Sequence, residues 1–325
     1  MRGGKEKGPA HRDLGRGWKE VRRIEGQMRD DILDRAQVLC CTCIGSGHEL
    51  LDGRRFSQVL IDEATQATEP STLVPIVRGA RQIVLVGDHK QLSPTVISRR
   101  AEDGGLSKSL FERIMEMGIT PFLLKKQYRM HPGISEFPNE MFYDGKLEDG
   151  VTESDRKAPA GILWPDWERP VAFLPVEGGE VDGPDGASKE NKAEASWVAK
   201  IVEDLVNAGE IGQDQIGVIT PYAAQVRAIR DVLPEALTDL EVKTVDGYQG
   251  REKEIIIFSC VRSNSDGNVG FLSDPRRLNV ALTRAKRGLV VIGDPATLRH
   301  DENWASWIEH ASKHNLEAWH IIGMA

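Results

Sequence analysis

The sequence predicts an α/β protein whose parallel sheets are flanked by helices, and three observations carry that expectation. Short runs rich in Val and Ile alternate with amphipathic stretches of helical period. Two of those runs end in polar or acidic residues, as strands do when their carboxyl ends face a ligand. At 325 residues, with 40% hydrophobic and 28% charged side chains, the chain is long enough for two domains with separate cores.

In chain order, residues 1–27 read as a basic, disordered tail, since the first 25 carry eight Lys or Arg against four Asp or Glu, with five glycines. Residues 38–43 read as a strand, with Cys40, Cys41 and Cys43 as buried strand cysteines. Cys40 and Cys43 form a C-x-x-C, but no second pair completes a tetrahedral metal site. Strands follow at 58–61 and 83–86. Leu106, Leu110, Ile114 and Met117 then share a helical face that stops at Gly118.

Pro121 opens a break, so a boundary is expected near residue 122, followed by a second domain over 123–315 and a terminal tail over 316–325. Residues 178–190 form a polar, turn-rich loop. A helix begins at the capping-box pair Asn191 and Glu194, presents Val198, Ile201, Val202 and Leu205, and ends near Gly209. Further strands are expected at 216–219, 254–259 and 289–292, with a helical stretch over 279–286.

No apolar run approaches the roughly 20 residues that span a membrane, and the start lacks the apolar stretch of a signal peptide. The expectation is a cytoplasmic or nuclear monomer. The net charge of −8 argues against nucleic-acid binding by bulk electrostatics, though not against a locally basic channel.

Chemistry gathers in five blocks. In Leu60-Ile-Asp-Glu-Ala-Thr65 a strand ends in Asp62 and Glu63; the first can hold Mg²⁺ and the second can orient or deprotonate a water. A solvated strand end reads the same way. A second strand runs into Gly87-Asp-His-Lys-Gln-Leu92, where Gly87 permits close backbone approach and the Gln91 amide can sense a γ-phosphate and a water together. His89 has no partner His at ligand spacing.

Gln127-Tyr-Arg-Met-His-Pro132 sets Tyr128 beside Arg129, an aromatic that can stack on a base and a guanidinium that can grip a phosphate. Gln249-Gly-Arg-Glu252 leads into a strand, and Gly250 there suits close approach of a ligand. In Asn279-Val-Ala-Leu-Thr-Arg-Ala285, Arg284 is placed as an arginine finger, with Arg276, Arg277 and Arg287 as surface.

These blocks, in this order, resemble superfamily 1 helicases that move 5′ to 3′, in particular the regulator of nonsense transcripts family of RNA helicases in nonsense-mediated mRNA decay. Long stretches carry the resemblance, among them Ile61-Asp-Glu-Ala-Thr-Gln-Ala-Thr-Glu-Pro70 and Gly270-Phe-Leu-Ser-Asp-Pro-Arg-Arg-Leu-Asn-Val-Ala-Leu-Thr-Arg-Ala285. It implies a P-loop NTPase fold with a partial first RecA-like domain over 28–122 and a complete second one over 123–315. It implies ATP and Mg²⁺ as cofactors, with Asp62 on Mg²⁺, Glu63 as base and Gln91 reporting the γ-phosphate. Tyr128 would stack on adenine, Arg129 and Arg284 would contact the γ-phosphate, and Glu252 would lie near ribose or metal. Thr42, Thr220, Pro221 and Thr244 match positions near the nucleic-acid path. Single-stranded RNA is the implied partner, with mRNA-decay factors beside it; a DNA-directed helicase of the same group and a non-catalytic binding module remain open.

One block of the family pattern is missing: nowhere in the sequence is there a G-x-x-x-x-G-K-[ST] phosphate loop. Gly105-Leu-Ser-Lys-Ser109 lacks the Gly before Lys108 and falls within the helix expected around it. The expectation is therefore a C-terminal fragment, inactive alone, whose first sheet lacks neighbouring strands and exposes apolar faces.

Overall fold

Residues 9–184, 186, 188–237 and 239–318 are described by a computed structural model. Two units divide the chain, the first comprising Met1–Ile61 and Pro70–Val84, the second Asp62–Glu69 and Leu85–Ala325.

The first unit carries helix α1 (Pro9–Arg35), strand β1 (Gln58–Ile61), helix α2 (Glu69–Ile76) and strand β2 (Gln82–Leu85), with β1 and β2 hydrogen-bonded as a two-stranded sheet. From Pro9 on, the segment expected to be a disordered tail is helical; residues 1–8 lie outside the described residues. Arg, Lys, Glu and Met are good helix formers, and they outweigh Gly15, Gly17 and Gly26. Leu14, Trp18, Val21, Met28 and Ile32 recur at helical spacing yet are exposed. Arg54 anchors the helix end, its Nη2 lying 2.9 Å from Asp34 Oδ1.

The strand expected over 38–43 is absent. A strand needs a partner to receive its backbone hydrogen bonds, and among the described residues this segment has none. Cys40 and Cys41 are consequently exposed, and Cys43 is half-buried, against the expectation of buried strand cysteines. The anticipated apolar faces are present on the two-stranded sheet, where Leu60, Ile83 and Val84 are exposed.

In the second unit come helices α3 (Arg99–Asp103), α4 (Leu110–Glu116) and α5 (Pro132–Tyr143), strand β3 (Val171–Pro175), helix α6 (Lys192–Asn207), strand β4 (Ile216–Thr220) and helix α7 (Ala223–Val232). After them come strands β5 (Glu241–Thr244) and β6 (Lys253–Ser259), helix α8 (Pro275–Leu282), strand β7 (Ala285–Gly293), and helices α9 (Pro295–Leu298) and α10 (Glu302–Lys313). The sheet is five-stranded and parallel in the order β3-β7-β6-β4-β5, the α/β architecture the sequence predicts.

Alternation along β6 divides the core. Ile255 and Ile257 join Val198, Ile201, Leu205 and Ile229 of α6 and α7, whereas Ile256 and Phe258 join Ile134, Leu278, Trp304 and Trp307 of α5, α8 and α10. Each face is thus covered, which is why the central strands read as continuous apolar runs.

Three local expectations shift. The 279–286 helix ends at Leu282 in α8, and Ala285 already belongs to β7, so Arg284 stands in the turn between helix and strand. Helix α4 starts only after Ser109, whose side chain makes a capping box with Glu112; Leu106 and Lys108 lie in the preceding turn. Asn191 caps α6, but Glu194 does not return to it. Its carboxyl is fully buried, accepting from the Ser259 hydroxyl at 2.6 Å and the Val261 N–H at 2.9 Å, and burial pushes it up to about 8.

Candidate functional site

Asp62, Glu63, Asp88, Gln91, Arg129, Glu252 and Arg284 all belong to the second unit. The polypeptide beyond β1 and that beyond β2 run side by side, the Ala64 N–H donating to the Val86 carbonyl at 2.8 Å. A Cβ on Gly87 would sit 3.0 Å from the Thr65 backbone nitrogen. Glycine therefore serves the approach of these two segments. Asp62 and Glu63 are exposed; Asp62 Oδ1 accepts only the Glu63 N–H, at 3.0 Å, and Glu63 adopts a left-handed φ of 51°.

From Asp88 a hydrogen-bonded chain leads to the arginine of the last block. Asp88 Oδ2 accepts from Gln91 Nε2 at 2.8 Å and from the Tyr143 hydroxyl at 2.5 Å. Asn279 Nδ2 donates to the Tyr143 oxygen and to the Lys90 carbonyl, each at 2.9 Å. Gln91 Oε1 in turn accepts from Arg284 Nη2 at 2.9 Å. Both faces of the Gln91 amide are thereby used, one on an acid and one on a cation, and the amide cannot turn without breaking both bonds.

Arg284 is 3% exposed, and its acceptors are all neutral: Gln91 Oε1, the Val280 carbonyl at 3.1 Å and the Thr283 hydroxyl at 3.0 Å. Burial first, then the like charge of Arg129, pull its guanidinium down to about 10, against the favourable charges of Glu63 and Asp88. It stays a cation at neutral pH. A buried cation without a paired carboxylate is costly, and an entering anion would relieve that cost.

Arg129 differs. Its Nε lies 2.7 Å from Glu252 Oε2 and its Nη1 donates to the Thr283 carbonyl at 3.0 Å, so Thr283 links the two arginines. Burial raises Glu252, but hydrogen bonds from Arg129 and Lys286 outweigh it and hold the carboxyl below its ordinary value. The Glu252 carboxylate is taken up by these two cations.

The Tyr128 side chain, 61% exposed, has its ring edge over Gly150, where a Cβ would come within 2.5 Å of it. One edge of the Tyr128 ring is thus held against the Gly150 backbone, with most of the side chain open to solvent. Gly250 has φ +72° and open space where a side chain would stand. His89 joins no cluster of metal-type ligands among the described residues.

Thr220 and Thr244 are register partners at the ends of β4 and β5, with Pro221 following. Thr220 is buried and its hydroxyl lacks a partner; Thr244 Oγ1 accepts the Gly247 N–H at 3.3 Å. Thr42 belongs to the other unit, where its hydroxyl accepts the Gly45 N–H at 3.0 Å. Sequence reasoning assigned no role to Tyr143, Asn279 or Thr283. Asn279 and Thr283 stand inside a quoted block, and that was their signal. Tyr143 ends a helix outside every block and gave none.

Two family models, each described as an AAA domain, match this chain, one over residues 5–99 and one over residues 106–296. The first match starts at residue 5 and so takes in most of the segment over 1–27 that the sequence sets aside as a basic tail. Among curated proteins, the chain is 45% identical over 293 residues to the regulator of nonsense transcripts 1 homolog of Drosophila melanogaster, covering 88% of this chain and 25% of that one. It is 46% identical over 300 residues to the ATP-dependent helicase NAM7 of Saccharomyces cerevisiae, covering 90% and 30%. The chain therefore spans between a quarter and a third of the length of these relatives. Among solved structures, an Arterivirus nonstructural protein 10 helicase in complex with DNA aligns at 16% identity and a TM-score of 0.39, over 76% of this chain and 41% of that one.

Proposed function

From the premise that this chain belongs to the AAA-domain family, in the superfamily 1 helicase group that includes the regulators of nonsense transcripts, we propose that it carries the phosphate-sensing and strand-binding part of an ATP-dependent RNA helicase. The observation that supports this best is the buried Arg284, a cation with neutral partners, hydrogen-bonded to the same Gln91 that Asp88 holds. Arg284 and Arg129 would meet the γ-phosphate, and Gln91 would pass its presence through Asp88 and Tyr143 to Asn279 on α8. ATP would supply the phosphoryl group whose transfer to water drives movement.

The residues fit ATP and Mg²⁺ in part. Asp62 is an exposed, cation-free carboxylate next to Glu63, and Mg²⁺ keeps most of its waters, so one such oxygen ligand suffices. Glu63 would orient the attacking water and Tyr128 would pack on the adenine. The β-phosphate has no comparable partner, because the 325 residues contain no G-x-x-x-x-G-K-[ST] run. Residues 28–122 would form the Walker-B side of one RecA-like domain and 123–315 the other. Thr220, Pro221 and Thr244 would line the strand path in the second unit, and mRNA-decay factors in the cytoplasm would be the partners.

Binding of a fluorescent single-stranded RNA, with unlabelled RNA and DNA of the same sequence as competitors, tests this reading. The expected result is salt-sensitive RNA binding, weakened in Thr244→Ala, with RNA the better competitor. Absence of RNA binding, or DNA as the better competitor, would overturn it.

A further inference from the structure

A cluster outside every block described above has the composition of a metal site. Glu136 projects from α5, His310 from the last turn of α10, and His314 is that helix's C-cap. The two histidines are four residues apart, which puts both imidazoles on one helix face; their ring centroids are 4.6 Å apart. One ligand atom from each of the three residues lies within 4.8 Å of the other two, and Glu136 Oε1 is 3.9 Å from His314 Nε2. Zinc–nitrogen and zinc–oxygen bonds of about 2.0–2.2 Å put tetrahedral ligands roughly 3.4 Å apart. The shift required is within reach of side-chain torsions at half-buried positions.

We propose that Glu136, His310 and His314 form a binding site for a divalent transition metal of the zinc class, with three protein ligands and an open fourth position. Two imidazoles and one carboxylate suit zinc, and they are neither the thiolate set of a soft ion nor the all-oxygen set of Mg²⁺ or Ca²⁺. Around the three ligands stand partners that hold them. Arg169 pairs with Glu136 Oε2, leaving Oε1 turned to the histidines. The Phe137 ring packs against His310 at 5.3 Å. The Arg169 charge works against a dication and limits affinity. Glu136 also lines an open cavity of about 450 Å³, together with Asp149, Glu153 and Arg169. Since the ligands come from α5 and from the end of α10, the bound ion would clamp α10 to α5.

The competing explanation is a simple His314–Glu136 ion pair. Titration of the full 325-residue chain with Zn²⁺, in a background with Cys40, Cys41 and Cys43 changed to Ser so that exposed thiols cannot compete, separates the two. The proposal expects uptake of one equivalent at micromolar or lower concentration, a raised Tm, and at least a tenfold loss of affinity in His314→Ala. His310→Gln should act likewise; if that change impairs folding, the Co²⁺ absorption spectrum of the chain with Cys40, Cys41 and Cys43 changed to Ser reports tetrahedral nitrogen and oxygen ligation independently. No saturable uptake, or uptake unchanged in the His314→Ala chain, would overturn the site.

Discussion

Helices α1 and α6 carry the same kind of apolar stripe and meet different fates. On α6, Val198, Ile201, Val202 and Leu205 are wholly buried against β4 and β6; on α1, Leu14, Trp18, Val21, Met28 and Ile32 face solvent. The sheets repeat the contrast. Five parallel strands in the second unit are covered on both faces, while β1 and β2 make a pair with Leu60, Ile83 and Val84 uncovered. Periodicity encodes which face of an element is apolar; burial depends on whether a neighbouring element exists to meet it. The residues proposed to meet the nucleotide lie in the better-covered unit, where a buried arginine and a fully used glutamine amide can be held in fixed geometry.

The largest effect should separate the two units by one type of substitution. Trp304 is fully buried, stacks on Phe258 with centroids 5.9 Å apart, and donates from Nε1 to the Leu272 carbonyl at 3.0 Å. Trp304→Ala should cost about 3–5 kcal/mol in urea unfolding. Trp18→Ala, at a position 65% exposed, should stay within about 0.5 kcal/mol. Equal losses would break the comparison.

A smaller effect is a pH slope belonging to the second unit. His131 caps α5, accepts the Gly133 N–H on Nδ1 at 2.9 Å, and is held down to about 4, chiefly by burial and further by Arg169, against Asp149 and Asp166. The unfolded chain binds this proton near 6.5 and the fold only near 4. Stability is therefore full above 6.5 and falls as pH drops towards 4, by up to roughly 3 kcal/mol. His131→Asn, which keeps a capping oxygen, should flatten that slope in denaturation curves recorded between pH 7 and 4. An unchanged slope would mean that His131 titrates in the fold as it does in the unfolded chain.

The smallest effect probes the periphery of the second unit. Ser109 Oγ caps Glu112 N–H at 3.1 Å and the Glu112 carboxylate returns to the Ser109 N–H, also at 3.1 Å. Ser109→Ala should cost about 1 kcal/mol of thermal stability.

Much of this was legible beforehand. The 216–219, 254–259 and 289–292 runs are strands because Ile and Val on both faces need cover on both sides, and α6 ends where Gly209 takes a φ of +71°. The 38–43 run looked identical and failed for want of a partner strand. Strands at Val171–Pro175 and Glu241–Thr244 went unread: the first ends in proline, and the second alternates charge with a single valine. The motif residues Gln91, Arg129 and Arg284 do converge. The chain of contacts through Tyr143 does not follow from any spacing, because Tyr143 approaches Asp88 from 55 residues away. The His310/His314 pair was legible at four-residue spacing, but its acid lies on a helix more than 170 residues earlier.

Steady-state ATP hydrolysis by the 325-residue chain, with Mg²⁺ and saturating single-stranded RNA, bears on the whole scheme. With Arg129, Arg284, Gln91 and the acidic pair present but no phosphate loop in the sequence, turnover should be indistinguishable from background, and Glu63→Gln should change nothing. Robust RNA-stimulated turnover that Glu63→Gln abolishes would contradict it.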